Sequence, residues 1–174
     1  MQADKFAVLA LVAFTIGASP VTAQEAAPPI EVTPYVALGS AAASPVGVAV
    51  TFPVTSMLSV EMDVAYRRGE GRINALSSSA SLLYALPRAG QLAPYIAGGI
   101  GLSQYGAPVF FSNGRPIGTE PRVAMMVTAG GGLKMPMNEK LDLRTDARWF
   151  KSFGLQGSEQ FRVAQGISFD VGKR

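Results

Sequence analysis

Charged side chains fall on one face of the alternating pattern in three parts of the chain, and this arrangement could support ion chemistry. The set comprises Glu61, Asp63, Arg67, Asp142, Arg144, Asp146, Arg148, Arg162 and Asp170. Carboxylates and guanidinium groups that meet in a low-dielectric interior must pair, because an isolated buried charge is costly. Two interpretations follow: a structural plug of ion pairs, or a gate or path for protons and ions.

The elements that must position these charges alternate with the period of a β-strand. Leu141, Leu143 and Trp149 fall on the face opposite the charges, whereas a helix would mix the two sets. The same alternation, weaker where Gly, Ala and Ser occupy both faces, predicts eight strands. Their approximate ranges are 32–41, 46–52, 59–67, 72–86, 93–105, 122–134, 141–149 and 161–171.

Two kinds of connection separate these strands. Short turns that begin with proline occupy 53–56, 87–90 and 136–139, and the other connections are 42–44, 68–71, 106–121 and 152–158. An even number of strands returns both chain ends to the side of the short turns. In outer-membrane barrels the short turns are periplasmic and the longer loops extracellular.

The first residues predict export. Lys5 precedes an apolar run at 6–18, and small residues end at Ala23, which indicates a signal peptide of 1–23. Residues 24–29 are a flexible lead, and 30–174 form one barrel domain. The run at 6–18 is too short for a helix that spans a bilayer, which needs about 20 residues.

Composition excludes several classes of site. The chain has no Cys and no His, so disulfides, thiolate metal sites and the commonest general base are absent. The net charge is only +3, and no run of basic residues supports a nucleic-acid partner.

Alternation alone leaves open which face is buried, because a soluble exported barrel that binds a hydrophobic ligand alternates too. The polar faces are largely Gly, Ala, Ser and Thr, which suit a crowded lumen better than a soluble surface. Aromatic residues concentrate near strand ends, as in the girdles of membrane barrels. The predicted girdles contain Tyr66, Tyr105, Trp149 and Phe161 at one end, and Tyr35, Phe52, Tyr84, Tyr95 and Phe169 at the other.

Several motifs together with the export signal carry a family resemblance. They are Pro-Tyr-Val-Ala-Leu-Gly at 34–39, Ala-Pro-Tyr-Ile-Ala-Gly-Gly-Ile-Gly at 93–101, and the charged segment at 141–150. The chain resembles the small outer-membrane protein β-barrel domain family, of OmpA-like type. The resemblance implies an eight-stranded antiparallel up-and-down transmembrane barrel, no cofactor, and outer-membrane lipid and the barrel-assembly machinery as partners. Such barrels commonly end on an aromatic residue, and Phe169 is the candidate here although Gly172-Lys173-Arg174 follow.

Two further features of the sequence are candidate sites. Phe110, Phe111 and Arg115 in the loop at 106–121 predict either a contact with an extracellular partner or a loop folded onto the rim. Glycines at 98, 99 and 101 are expected to face glycines at 130, 131 and 132, where close backbone approach is their structural role.

The expected function is a small outer-membrane barrel with a structural or surface-interaction role in the cell envelope. A narrow porin-like channel and a soluble barrel for a hydrophobic ligand are the alternatives. The lipid A acyltransferases and deacylases among small barrels use a His, which this chain lacks, so the chain is expected not to be an enzyme.

Overall fold

A computed structural model describes residues 29–39, 45–68, 74–106, 110–112, 115–117, 122–153 and 159–171. The predicted signal peptide at 1–23 and residues 24–28 of the lead lie outside this part of the chain. Within the described residues, no helix is long and apolar enough to cross a membrane.

The described chain forms ten strands, of which eight close into a barrel. The bounds are β1 Ile30–Gly39, β2 Val46–Pro53, β3 Leu58–Arg68, β4 Asn74–Ala85, β5 Ala93–Gly106, β6 Phe110–Ser112, β7 Arg115–Ile117, β8 Arg122–Pro136, β9 Leu141–Phe153 and β10 Glu159–Val171. The closed order is β1-β10-β9-β8-β5-β4-β3-β2, with every neighbouring pair antiparallel. The predicted eight-stranded antiparallel barrel is confirmed. The short strands β6 and β7 pair as a separate hairpin within the predicted loop at 106–121.

The two ends of the barrel differ. At the end called here the turn end, Ile30 of β1 pairs with Val171 of β10, and short turns join β2 to β3, β4 to β5 and β8 to β9. The opposite end, called the loop end, carries the connections at 40–45, 69–73, 107–121 and 154–158. Two of the short turns share one hydrogen-bond pattern, because Val54 N donates to Leu58 O at 2.8 Å and Met137 N to Leu141 O at 2.8 Å.

Burial alternates along the strands with the period of the side chains. On β3, Glu61 and Asp63 are buried, whereas Met62 and Val64 between them are exposed on the outer wall. The interior is polar and small-residue-rich, and the exterior is a continuous apolar wall. The charges predicted to share a face therefore point into a narrow lumen whose space side chains fill.

The placement of Tyr35 and Tyr95 in an aromatic girdle is wrong. Both rings are buried inside the barrel, on the same inward parity as Ala37 and Ala97. The position of an aromatic near a strand end does not decide its face; the parity of the strand does. The sequence does carry that parity, because Val36 and Leu38 lie on the face opposite Tyr35, and Ile96 and Ile100 on the face opposite Tyr95.

The expected glycine-to-glycine apposition between β5 and β8 is also wrong. Gly98 pairs with Ala129, Gly131 with Ile96, and Gly132 with Tyr95. A Cβ added at Gly132 would meet the Tyr95 hydroxyl, so this glycine makes room for an aromatic ring and not for another glycine.

Candidate functional site

Six charged side chains meet in the middle of the lumen and are called here the lumen cluster. The cluster comprises Glu61 and Asp63 of β3, Arg144, Asp146 and Arg148 of β9, and Arg162 of β10. Strands β3 and β9 lie opposite each other in the closed strand order. Contacts between them therefore cross the barrel and tie its two walls together.

Four members form a closed ring of alternating charge. Glu61 accepts from Arg144 Nη1 at 2.5 Å through Oε2 and from Arg148 Nη2 at 2.5 Å through Oε1. Asp146 Oδ2 closes the ring by accepting from Arg144 Nη2 at 3.1 Å and from Arg148 Nη2 at 3.0 Å. Thr51 adds a third donor to Glu61 at 3.1 Å. Arg148 Nε lies 2.8 Å from Asp146 Oδ1 without the alignment of a hydrogen bond, so that contact is Coulombic.

Two buried tyrosines each link an arginine to a carboxylate, one within the ring and one beside it. The Tyr35 hydroxyl donates to Asp63 Oδ2 at 2.5 Å and accepts from Arg162 Nη1 at 2.8 Å. The Tyr95 hydroxyl donates to Asp146 Oδ2 at 2.6 Å and accepts from Arg144 Nε at 2.7 Å. Each guanidinium also stacks on its tyrosine, with the Arg Cζ 4.9 Å from the ring centroid in both cases.

The two tyrosines and the glycines that they cover occupy equivalent positions in two four-stranded halves of the barrel. Tyr35 and Tyr95 open the segments Pro-Tyr-Val-Ala and Pro-Tyr-Ile-Ala on β1 and β5, which lie opposite each other in the strand order. Each ring covers a glycine on the next strand, because a Cβ at Gly47 would meet the Tyr35 ring and one at Gly132 the Tyr95 ring. The symmetry covers the tyrosines and glycines and not their charged partners. The register places Asp63 at the position that corresponds to Arg144, and the arginine of Tyr35 lies on β10 whereas that of Tyr95 lies on β9.

The charges in the lumen cluster balance. Three arginines meet three carboxylates, and the remaining pair, Arg162 with Asp63, spans 3.3 Å. Arg162 also lies over Phe150, with Cζ 4.7 Å from the ring centroid. Among the described residues, Arg162 Nε is buried without a hydrogen-bond partner. In this balanced and densely bonded cluster each formal charge has an opposite charge within reach.

Several predicted site residues lie outside the lumen cluster. Arg67 reaches the loop end and has no ion pair within the described residues, while Asp142 and Asp170 are half-buried at the turn end. Arg162 is adjacent to Arg148 in the register of β9 and β10, as expected, but its carboxylate partner is Asp63. The side chains of Phe110, Phe111 and Arg115 are outside the described part of the structure.

The cluster divides the interior into separate spaces. Beside the cluster itself, the free volume is only about 10 Å³. A cavity of about 60 Å³ lies toward the loop end, and a vestibule of about 560 Å³ opens at the turn end. The narrowest space is no larger than one water molecule requires. In the residues that the structure describes, no group of three or more His, Cys, Asp or Glu side chains could hold a metal ion.

Sequence reasoning missed the two lumenal tyrosines as members of the cluster. The recurring Pro-Tyr-x-Ala segment was the available signal, because it places Tyr and Ala two residues apart on one strand face.

Comparisons with known proteins show the fold. No family model matches the chain, and no curated protein matches it. Among solved structures, the N-terminal β-barrel domain of Pseudomonas aeruginosa OprF has a TM-score of 0.60 at 16% identity, covering 82% of this chain and 96% of that one. Neisserial surface protein A has a TM-score of 0.60 at 12% identity, covering 82% and 96%. The chain has the fold of the small eight-stranded outer-membrane barrels.

The exclusion of an enzyme is corrected by a third structure of this fold. The outer membrane enzyme PagL superposes with a TM-score of 0.51 at 14% identity, covering 81% of this chain and 99% of that one. The fold therefore accommodates catalysis. Activity depends on side chains placed on a scaffold, and the scaffold alone does not exclude it.

Proposed function

We propose that this chain is a small outer-membrane barrel with a closed interior and a structural or surface-presenting role in the cell envelope. The observation that carries the proposal is the ring of Glu61, Arg144, Asp146 and Arg148, which crosses the lumen and leaves about 10 Å³ beside it. A hydrated ion needs a wider path than this. The cluster is then a structural plug, and the structural or surface-presenting role belongs to the outer wall and the loops.

The outer wall supports a location in lipid. Large apolar side chains cover it from end to end, with exposed fractions of 71% for Leu38, 63% for Ile100 and 64% for Met125. A soluble monomer rarely exposes contiguous apolar patches of more than a few hundred Å². The same wall argues against the soluble alternative, because a barrel that binds a hydrophobic ligand turns its apolar face inward.

Export and presentation complete the proposal. A signal peptide at 1–23 would deliver the barrel domain at 30–174 to the assembly machinery of the outer membrane. Orientation with the turn end in the periplasm places the loop at 106–121, with Phe110, Phe111 and Arg115, at the cell surface. This loop is the proposed contact for an extracellular partner, and loss of partner binding in Phe110→Ser and Phe111→Ser variants is the expected result.

A narrow channel is the second candidate, because the vestibule of about 560 Å³ admits solvent up to the cluster. Planar-bilayer recordings separate the two. The closed barrel gives no steady unitary conductance, whereas the charge-balanced variant Glu61→Ala/Arg148→Ala opens the lumen and serves as the positive control. A steady conductance in the wild type that the charge variants abolish would replace the closed barrel with a channel.

The membrane location is tested by two valines of one hairpin with similar exposure. Val64 lies mid-strand on the outer wall with 46% exposed, and Val54 lies in the short turn with 55% exposed. In lipid, Val64→Arg should cost about 2–4 kcal/mol and Val54→Arg about 0–1 kcal/mol. A soluble protein tolerates both, so equally small effects, together with release of the protein by carbonate washing, would contradict the membrane location.

A further inference from the structure

The charged side chains that line the cavity at the loop end of the lumen are all positive. Its lining includes the guanidinium groups of Arg67 and Arg162, and the hydroxyls of Ser77, Ser103 and Ser152. No carboxylate of the described residues contributes to the wall. The polar side chains that line this space are therefore two arginines, three serines and Gln160, each able to donate a hydrogen bond.

The two arginines differ from those of the ring. Arg67 is half-buried and has no ion pair within the described residues, so its charge is not compensated there. Arg162 shares its charge with Asp63 through Nη1, and its buried Nε has no hydrogen-bond partner among the described residues. A buried donor without a partner costs free energy, and an acceptor in the cavity would remove that cost.

The strands bring the hydroxyls to the same place. Ser77 of β4 and Ser103 of β5 are direct register partners, and both are on the inward face. Ser152 approaches from β9 and is also buried. Ser77 makes a long hydrogen bond of 3.5 Å to Ala65 O, which leaves its hydroxyl available to a better acceptor.

From this arrangement we infer that the loop-end cavity binds a tetrahedral oxyanion, a phosphate or sulfate group, between Arg67, Arg162 and the three serines. Arg guanidinium groups with added hydroxyl donors are the usual recognition set for such oxygens. The volume of about 60 Å³ is several times what one water requires, so a compact oxyanion fits while a nucleotide does not. The anion is either free in solution or part of a lipid headgroup at the membrane surface.

Adjacent arginines give a matched pair of variants for the test. Arg67 points inward and lines the cavity, whereas Arg68 is the next residue on β3 and is exposed. Arg67→Gln and Arg68→Gln change the net charge equally. Ser103→Ala is a second variant that removes a cavity hydroxyl and changes no charge.

Phosphate binding is measured as stabilisation of the full barrel in phosphatidylcholine vesicles. Inorganic phosphate replaces chloride at constant ionic strength, and the unfolding midpoint is followed by the fluorescence of Trp149. Saturating phosphate should raise the midpoint of the wild type and of Arg68→Gln by about 2–4 °C. Arg67→Gln should weaken the apparent affinity about tenfold or more, and Ser103→Ala should weaken it by a smaller factor.

A second arm identifies the source of the anion. Vesicles of phosphatidylcholine with added phosphatidic acid present a phosphate headgroup in place of soluble phosphate. Stabilisation by phosphatidic acid that depends on Arg67 assigns the site to a lipid headgroup, and stabilisation by inorganic phosphate alone assigns it to a free anion. If neither probe stabilises the wild type, or if both arginine variants lose the effect equally, the site is refuted.

Discussion

Glu61 is the centre of the lumen cluster, and its replacement by glutamine measures what the cluster contributes. Its carboxylate accepts hydrogen bonds from Arg144, Arg148 and Thr51, and only 1% of the residue is exposed. Glu61→Gln keeps the shape but removes the charge, and it turns an amide NH₂ toward a guanidinium donor. Arg144 and Arg148 then have only Asp146 to compensate their two positive charges.

The expected cost follows from this geometry. Breaking a buried ion pair by removing one partner costs about 3–5 kcal/mol, because the remaining charge is left uncompensated. Glu159 provides the control, since its pair with Lys151 at 3.2 Å is exposed at both partners. Glu159→Gln should cost only about 0.2–1 kcal/mol.

A double-mutant cycle separates the stability that comes from ion pairing from the stability that comes from side-chain shape. Arg144→Gln combined with Glu61→Gln restores charge balance, so the double variant should be more stable than the sum of the single losses by about 1 kcal/mol or more. The assay is urea unfolding in lipid vesicles. Trp149, the single tryptophan, reports the transition through its fluorescence, and the heat-modifiable gel shift is an independent readout. Additive losses, or a Glu61→Gln cost equal to that of Glu159→Gln, would show that the buried ion pairs do not stabilise the barrel.

Two further predictions concern the packing around the cluster. Tyr35→Phe and Tyr95→Phe each remove a hydroxyl held between an arginine and a carboxylate, so each should lower the free energy of unfolding by about 1.5–3 kcal/mol; an unchanged free energy of unfolding in either variant would show that its hydroxyl does not stabilise the barrel. Gly47→Ala places a Cβ against the Tyr35 ring and a Val64 carbonyl oxygen and should cost about 1–3 kcal/mol, whereas Gly98→Ala meets nothing closer than 3.9 Å and should be tolerated. The same urea titration checks the glycine pair, and equal effects would show that the ring does not need the glycine.

The alternation of side chains is local information, so the sequence determined much of the fold. The polar and apolar faces of β2, β3, β8, β9 and β10 follow from a period of two residues, and proline-led turns mark three of the hairpins. An even strand count then leads to closure with both termini at one end. The inward direction of Glu61, Asp63, Arg144, Asp146, Arg148 and Arg162 follows from the same pattern.

The partners of these charges depended on tertiary structure. Glu61 lies on β3 and binds two arginines of β9, and only closure of the barrel brings these opposite strands within hydrogen-bond distance. Arg162 pairs with Asp63 across the lumen and not with Asp146 on its neighbouring strand. Pairing across a lumen depends on strand order, barrel width and side-chain length together, and none of these is local to a strand.

The contacts of Tyr35 and Tyr95 also depended on the tertiary structure. The parity of β1 and β5 points both side chains inward, but it does not identify what they contact. Only the closed barrel provides each ring with a glycine to cover, a carboxylate to bind and a guanidinium to stack on. The sequence by itself determined which side chains alternate. The tertiary structure decided which of them meet, because contact across a lumen is a property of the closed sheet and not of any one strand.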